Sequence, residues 1–273
     1  MKIGIIGLGL IGGSMALAFR DAGHEVYGLD GDDVVRQAKE SGVIDGELVD
    51  IALPDVVWIA TPPAACTEIL KKGGFQKRQI VADVCGIKRA LKDYGKTCGA
   101  TYVGCHPMAG REVSGLRNAQ AGLFRGASMI MTDVEGKENA VQTLEILCRQ
   151  IGFTRIVKCD SETHDKKIAY TSQLAHVVSN AYVKSPTASG YSGFTGGSFQ
   201  DMTRIADLNG ALWVELFAQN RDYLSKEIRT LIARLGEYAD ALESGDDQTL
   251  GKLLDEGSKQ RRKIKWSSFF GSL

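Results

Sequence analysis

Residues 2–13 read KIGIIGLGLIGG, and 14–22 continue SMALAFRDA. A short apolar run of β type, 2–6, leads into Gly7-Leu8-Gly9-Leu10-Ile11-Gly12, and a helical stretch, 12–22, leads out. In this dinucleotide fingerprint Gly7 permits the tight turn and Gly9 lets the backbone approach a pyrophosphate. Gly12 lets the helix pack close to the strand. The helix N-terminus then offers unpaired N–H groups and a positive dipole end to the phosphates, with Leu10 and Ile11 of the turn also placed on the cofactor side. The next apolar run, 25–29, ends at Asp30. A carboxylate there accepts hydrogen bonds from the ribose hydroxyls and repels a 2′-phosphate, and no Arg or Lys follows before Arg36. The expected cofactor is therefore NAD, held by Gly7, Gly9, Leu10, Ile11, Gly12 and Asp30. Capping of the helix that starts at Asp32 is compatible with this use of Asp30.

The same residues imitate a secretory signal, since Met1-Lys2 precedes an apolar stretch and Ala16-Leu17-Ala18 resembles a cleavage site. Glycines at 4, 7, 9, 12 and 13 do not suit a helical signal core, and cleavage would destroy the fingerprint. No other run is long enough to span a bilayer. Across the 273 residues, 33 basic and 33 acidic side chains balance, so no net field draws nucleic acid or an anionic membrane. The six cysteines form no C-x-x-C pair. His164 and His176 lack a ligand pattern around them, so no metal site is expected, and the thiols suit a reducing cytoplasm.

Beyond the fingerprint, strand-like runs at 56–60, 79–83, 101–104, 128–132 and 155–158 alternate with helical stretches at 32–41, 64–72, 87–94 and 137–151. Such alternation predicts an α/β fold, a Rossmann-type doubly wound sheet. From residue 161 helical periodicity takes over, over 161–184, 211–244 and 247–262, with a Gly-rich interlude at 190–197. The expected organisation is an NAD-binding Rossmann-type domain over 1–160 and an all-α substrate and dimerisation domain over 161–273. Leu212, Leu216, Tyr223, Ile228, Leu231, Leu235 and Tyr238 recur at helical spacing and predict one buried face. Those helices are more apolar than a lone bundle needs, and a homodimer interface is the natural sink.

Chemistry concentrates at 105–115, Cys-His-Pro-Met-Ala-Gly-Arg-Glu-Val-Ser-Gly. The run Tyr102-Val103-Gly104 places His106 where the last strand of a parallel sheet delivers it to the cofactor, as a proton acceptor coupled to hydride transfer. Thr61-Pro62-Pro63 and Asp83-Val84-Cys85-Gly86-Ile87-Lys88 end two other strands at the carboxyl edge, where ligands bind; a plain turn is the competing reading. Thr61 and Pro62 are assigned to the cofactor side. Cys85, with no base pattern nearby, reads as packing. In the second half Arg204 follows a Gly-rich turn. Its planar fork suits a carboxylate, and a salt bridge to Asp201 or Asp207 is the alternative. The basic run Lys259, Arg261, Arg262, Lys263 and Lys265 complements a helix C-terminus.

Together these motifs resemble the prephenate/arogenate dehydrogenase family of tyrosine biosynthesis, from Gly7 to about Asn220. His106-Pro107-Met108-Ala109-Gly110 looks like its catalytic segment, and Glu112 and Ser114-Gly115 continue the match. His176 falls at a family histidine, residues 199–206 resemble the segment with the substrate-binding arginine, and Trp213 falls at a family tryptophan. The resemblance implies NAD-dependent oxidative decarboxylation of prephenate, or of arogenate. His106 would take the proton of the ring hydroxyl, and Arg204, His176, Glu112 and Gly86 would line the substrate. Two positions depart from the pattern. Gly86 stands where the family usually has a serine close to the histidine, leaving water, the cofactor or Cys85 to supply that hydrogen bond. Gln173 stands where histidine is common. No regulatory or mutase segment follows the helices, so any tyrosine inhibition is expected at the active site. A β-hydroxyacid dehydrogenase or imine reductase normally has a helix-borne catalytic lysine or lacks the His-Pro-Met-Ala-Gly segment. A nucleotide sensor or a scaffold has no use for both His106 and Arg204.

Overall fold

The computed structural model describes residues 1–264. It divides into two compact units, the first Met1–Asn220 and the second beginning at Arg221. In the first, β1 (Lys2–Ile6), β2 (Glu25–Leu29), β3 (Gly46–Glu47), β4 (Val56–Ile59), β5 (Ile80–Asp83), β6 (Thr101–Pro107), β7 (Ser128–Thr132) and β8 (Arg155–Cys159) form one sheet. Its order is β3-β2-β1-β4-β5-β6-β7-β8. The helices α1 (Leu10–Asp21), α2 (Asp32–Glu40), α3 (Pro63–Lys72), α4 (Arg89–Thr97) and α5 (Glu138–Gln150) lie between strands along the chain. The chain passes from β1 outward to β2 on one side and then returns to β4 on the other. That reversal opens a crevice at the carboxyl ends of β1 and β4, beside the fingerprint.

Both sheet faces are covered, which explains the nearly continuous apolar strands. Within β4, Val56 and Trp58 join a core with Phe19 and Leu144, while Val57 and Ile59 join another with Leu70 and Leu91. The seven expected strands are present, and β3 is additional, a two-residue edge strand too short to show a period. β6 runs to Pro107, so His106 sits within the strand. The sheet is not parallel throughout, because β7 runs antiparallel to β6.

The first unit is completed by α6 (Ser161–Ile168), a π-helical turn over Ala169–Gln173, α7 (Leu174–Tyr182), α8 (Gly197–Thr203) and α9 (Gly210–Gln219). Asp160 caps α6 by accepting from the Thr163 N–H at 2.6 Å. The helix expected over 211–244 is broken. It stops at Asn220, whose buried amide donates to the Asp165 carbonyl and to Gln173 Oε1, both at 2.8 Å, and accepts from Arg89 Nη2 at 3.1 Å. Three such partners outweigh the modest cost of interrupting a helix at a residue of low helix propensity.

The second unit holds α10 (Arg221–Ser244) and α11 (Asp247–Lys263). Gly245 turns the chain between them with φ +69°, and Asp246 caps α11 through the Thr249 N–H at 2.9 Å. The single buried face expected from Leu212 to Tyr238 is therefore divided. Leu212 and Leu216 belong to α9, Leu235 is 59% exposed, and only Leu224 and Ala241 of α10 are buried. Arg261, Arg262 and Lys263 close α11 as expected, while Lys265 lies outside the described residues. Among the described residues no helix is long and apolar enough to cross a membrane.

Candidate active site

The fingerprint turn admits no side chain at two of its glycines. A Cβ on Gly7, at φ +93°, would lie 2.5 Å from the Ala60 carbonyl oxygen, and one on Gly12 1.8 Å from that of Gly7. Gly9 differs, since nothing lies within 4 Å of its absent Cβ, and no side chain caps the α1 terminus at Leu10 and Ile11. Asp30 accepts from the Leu8 N–H and the Gly31 N–H, both at 2.7 Å. Those bonds fix the turn and leave carboxylate lone pairs for further donors. Thr61, two residues past β4, has a buried hydroxyl with no hydrogen-bond partner among the described residues, and Pro62 is the N-cap of α3. An open glycine, a bare helix terminus, an oriented carboxylate and an orphaned hydroxyl together fit a dinucleotide.

β6 brings His106 to the same edge. Its period places Tyr102, Gly104 and His106 on one face. Below them the Tyr102 hydroxyl donates to Asp83 Oδ2 at 2.7 Å, and Lys88 Nζ pairs with Asp83 Oδ1, both charges fully buried. Gly104 makes room for this pair, for a Cβ there would lie 3.0 Å from Lys88 Cδ and 2.5 Å from Thr132 Oγ1. Cys66, Asp83 and Cys85 bring donor atoms within 4.8 Å of one another, but Asp83 is committed to Lys88 and Tyr102.

His106 Nδ1 lies 2.9 Å from His164 Nε2, and His164 Nδ1 lies 2.7 Å from Asp165 Oδ1. Asp165 also accepts from the backbone N–H groups of Lys88 at 2.8 Å and Arg89 at 3.0 Å. Burial holds the His106 pKa well below its usual 6.5, and the charges of His164 and Lys88 add to that. The other edge of the ring faces Gly86, where a Cβ would lie 3.9 Å from both Nε2 and Cε1 of His106 and 3.4 Å from Leu216 Cδ2. Cys85 does not supply the missing hydrogen bond. Its thiol contacts the Thr61 carbonyl at 3.5 Å, and hydrogen bonding with Cys66 together with burial pushes its pKa well up.

A second cluster surrounds Arg204, just past α8. Its Nη1 pairs with Glu112, from the loop after β6, and not with Asp201 or Asp207; the two side chains are 65% and 45% exposed. His176, on α7, packs its ring 4.0 Å from that of Trp213 and donates from Nδ1 to the Ile205 carbonyl at 3.2 Å. Burial lowers its pKa. α9 serves both clusters, touching His176 through Trp213 and Gly86 through Leu216. Gln173 is a clasp: it accepts from Asn220 at 2.8 Å and donates to the Leu216 carbonyl at 3.4 Å.

Apart from the adjacent His164–Asp165 pair, the partners of His164, Asp165 and Asn220 lie 47 or more positions away, so nothing local beyond polar type marks them. Lys88 belongs to a visible motif, but its burial under His106 depends on β5 and β6 pairing.

The family model for the prephenate dehydrogenase nucleotide-binding domain matches residues 15–157, and that for the dimerization domain matches 160–256. A prephenate dehydrogenase of Lactococcus lactis is 28% identical, over 97% of this chain and 77% of its own. A cyclohexadienyl dehydrogenase of Zymomonas mobilis is 30% identical over 96% of each chain. Among solved structures, a prephenate dehydrogenase from A. aeolicus, in complex with hydroxyphenyl propionate and NAD+, superposes with a TM-score of 0.86 at 26% identity, covering 97% of this chain and 98% of that one. The chain belongs to the prephenate dehydrogenase family.

Proposed function

We propose that this protein carries out the NAD-dependent oxidative decarboxylation of prephenate to 4-hydroxyphenylpyruvate. The observation that carries the reading is His106: a neutral imidazole at the sheet edge, with one nitrogen held from behind and the other facing the space beside Gly86. When bound, NAD supplies the hydride acceptor. His106 takes the proton of the ring hydroxyl, so that the carbon bearing it can give up hydride as a carbonyl forms. Loss of the ring carboxylate as CO2 then aromatises the ring and makes the reaction irreversible.

The remaining residues bind and orient. Arg204 takes a substrate carboxylate in place of Glu112, and His176 with Trp213 forms a wall beside it. Gly7, Gly9, Leu10, Ile11, Gly12, Asp30, Thr61 and Pro62 hold the cofactor. We place the division of labour near residue 160, with the helical part pairing two chains. The half-exposed Ile232, Leu235, Leu242 and Leu254 on α10 and α11 support a homodimer. Six free cysteines suit a cytoplasmic setting.

NADH formation on mixing the purified protein with prephenate and NAD tests the reading, and no turnover without a partner protein would refute it. Parallel steady-state rates on arogenate assign the side-chain preference.

A further inference from the structure

We infer that His164 and Asp165 are positioning residues that fix which nitrogen of His106 carries its proton, leaving Nε2 as the base. The inference rests on the reading of His106 as proton acceptor and adds how that acceptor is prepared. The geometry leaves one consistent assignment. Both Asp165 oxygens already receive N–H donors, from Lys88 on Oδ1 at 2.8 Å and from Arg89 backbone N and Nε on Oδ2 at 3.0 and 3.4 Å. A carboxylate so surrounded is an acceptor only. The contact of 2.7 Å with His164 Nδ1 then needs a proton on that nitrogen. A neutral His164 is therefore bare at Nε2, and the 2.9 Å contact to His106 Nδ1 needs the proton on His106. His106 Nε2, on the Gly86 side, keeps its lone pair.

The arrangement also orders the reaction. When Nε2 takes the substrate proton, the imidazolium keeps its Nδ1–H bond to His164. The proton stays on His106 until Nε2 returns it to solvent, and Asp165 is never protonated. With His164 and Asp165 side chains wholly buried, water does not compete for these bonds.

The test reads the tautomer directly, by 15N NMR of His106 in protein labelled at histidine. The wild type is expected to show a protonated Nδ1 and a bare Nε2; the opposite tautomer overturns the inference, even if no variant folds. His164→Leu removes the acceptor, and His164→Gln keeps a carbonyl acceptor. The leucine variant should show mixed tautomers and a kcat lower by roughly 10- to 100-fold, the range for losing a partner that orients a histidine. KM and cofactor affinity should stay within about twofold, and the glutamine variant should recover most of the rate. An unchanged His106 tautomer in His164→Leu overturns the inference whatever its kcat. Absence of prephenate turnover in the wild type would sink the functional reading instead and leave the tautomer result standing by itself.

Discussion

Around His106 every neighbouring group is buried and partnered: His164 with Asp165, Lys88 and Tyr102 with Asp83, and Asp165 with two backbone N–H groups. Around Arg204 the guanidinium is 65% exposed, and its partner Glu112 comes from a loop. An exposed pair of that kind contributes about 0–1 kcal/mol, so a substrate carboxylate can displace Glu112 at little cost. The buried set cannot be exchanged so lightly, because removing one partner leaves another charge or N–H unsatisfied in low dielectric. On the proposed reading, the atom that takes a proton is thus held by buried, partnered groups, while the group proposed to recognise substrate is held by an exposed ion pair. Proton transfer is sensitive to sub-ångström placement, whereas carboxylate capture needs access.

The sharpest break in this contrast is at His106. His106→Asn keeps a polar group but cannot take the proton, so kcat should fall by roughly 10² to 10⁴ with little change in KM. Near-normal turnover would remove the proposed base. Arg204→Gln should act on the other side of the comparison. Loss of a hydrogen-bonded charge contact is worth about 1.5–3 kcal/mol, which predicts a KM raised roughly 10- to 100-fold with unchanged NAD affinity. If isothermal titration showed NAD binding weakened as well, Arg204 would not be a substrate anchor alone.

The cofactor end should discriminate by charge. On the proposed reading Asp30 meets the ribose hydroxyls, and no Arg or Lys follows it before Arg36, so kcat/KM should favour NAD over NADP by on the order of tenfold or more. Asp30→Ser combined with Gly31→Arg should narrow or reverse that ratio, and equal efficiency of the wild type with both cofactors would refute the role of Asp30.

The buried histidines make a pH prediction. His106, His164 and His176 all have pKa values lowered from 6.5, chiefly by burial. Their unfolded counterparts bind protons first as pH falls, so stability is fully present above about 6.5 and declines below it toward the folded pKa values. The acid limb of kcat/KM should also lie below 6.5, because His106 remains a base to lower pH than a solvated histidine. Urea unfolding at a series of pH values checks the first statement, and a pH–rate profile checks the second.

The smallest effect is expected at Gly86. A Cβ there makes only ordinary contacts, 3.4 Å to Leu216 and 3.9 Å to His106, and no positive φ forbids it. Gly86→Ser should leave stability within about 0.5 kcal/mol while placing a hydroxyl beside Nε2. A severalfold change in kcat with an unchanged unfolding midpoint would show that this position tunes the base without supporting the fold.

Much of the first unit was legible because its signals are local. The fingerprint glycines, the acid at the end of the second strand and the buried-type strands are each marked by residue type and spacing over a few positions, although Gly7 packs against Ala60 and Asp30 bonds to Leu8. The His106 segment stood out by its run of residues and Arg204 by the Gly-rich turn before it, whereas His176 entered only through the family resemblance. The helix break at Asn220 was not, because helical periodicity continues through it and the competing partners are Asp165, Gln173 and Arg89. The reversal between β6 and β7 was hidden as well, since strand direction leaves no mark on an apolar run.

The sequence by itself determined the strand–glycine turn–helix at Gly7–Gly12 and the acid at Asp30, the features on which the proposed nucleotide site rests, because a tight glycine turn followed by a helix N-terminus is a local pattern. It also determined which residue types were available for chemistry. Only the tertiary structure decided what surrounds His106, the proposed base. Its partner His164 lies 58 residues away on α6 and Lys88 sits beneath it from another crossover, and only the packing of α6 together with the β5–β6 pairing sets such distances. A histidine's protonation depends on which buried donors and charges surround it, and that surrounding exists only once the strands and helices are assembled.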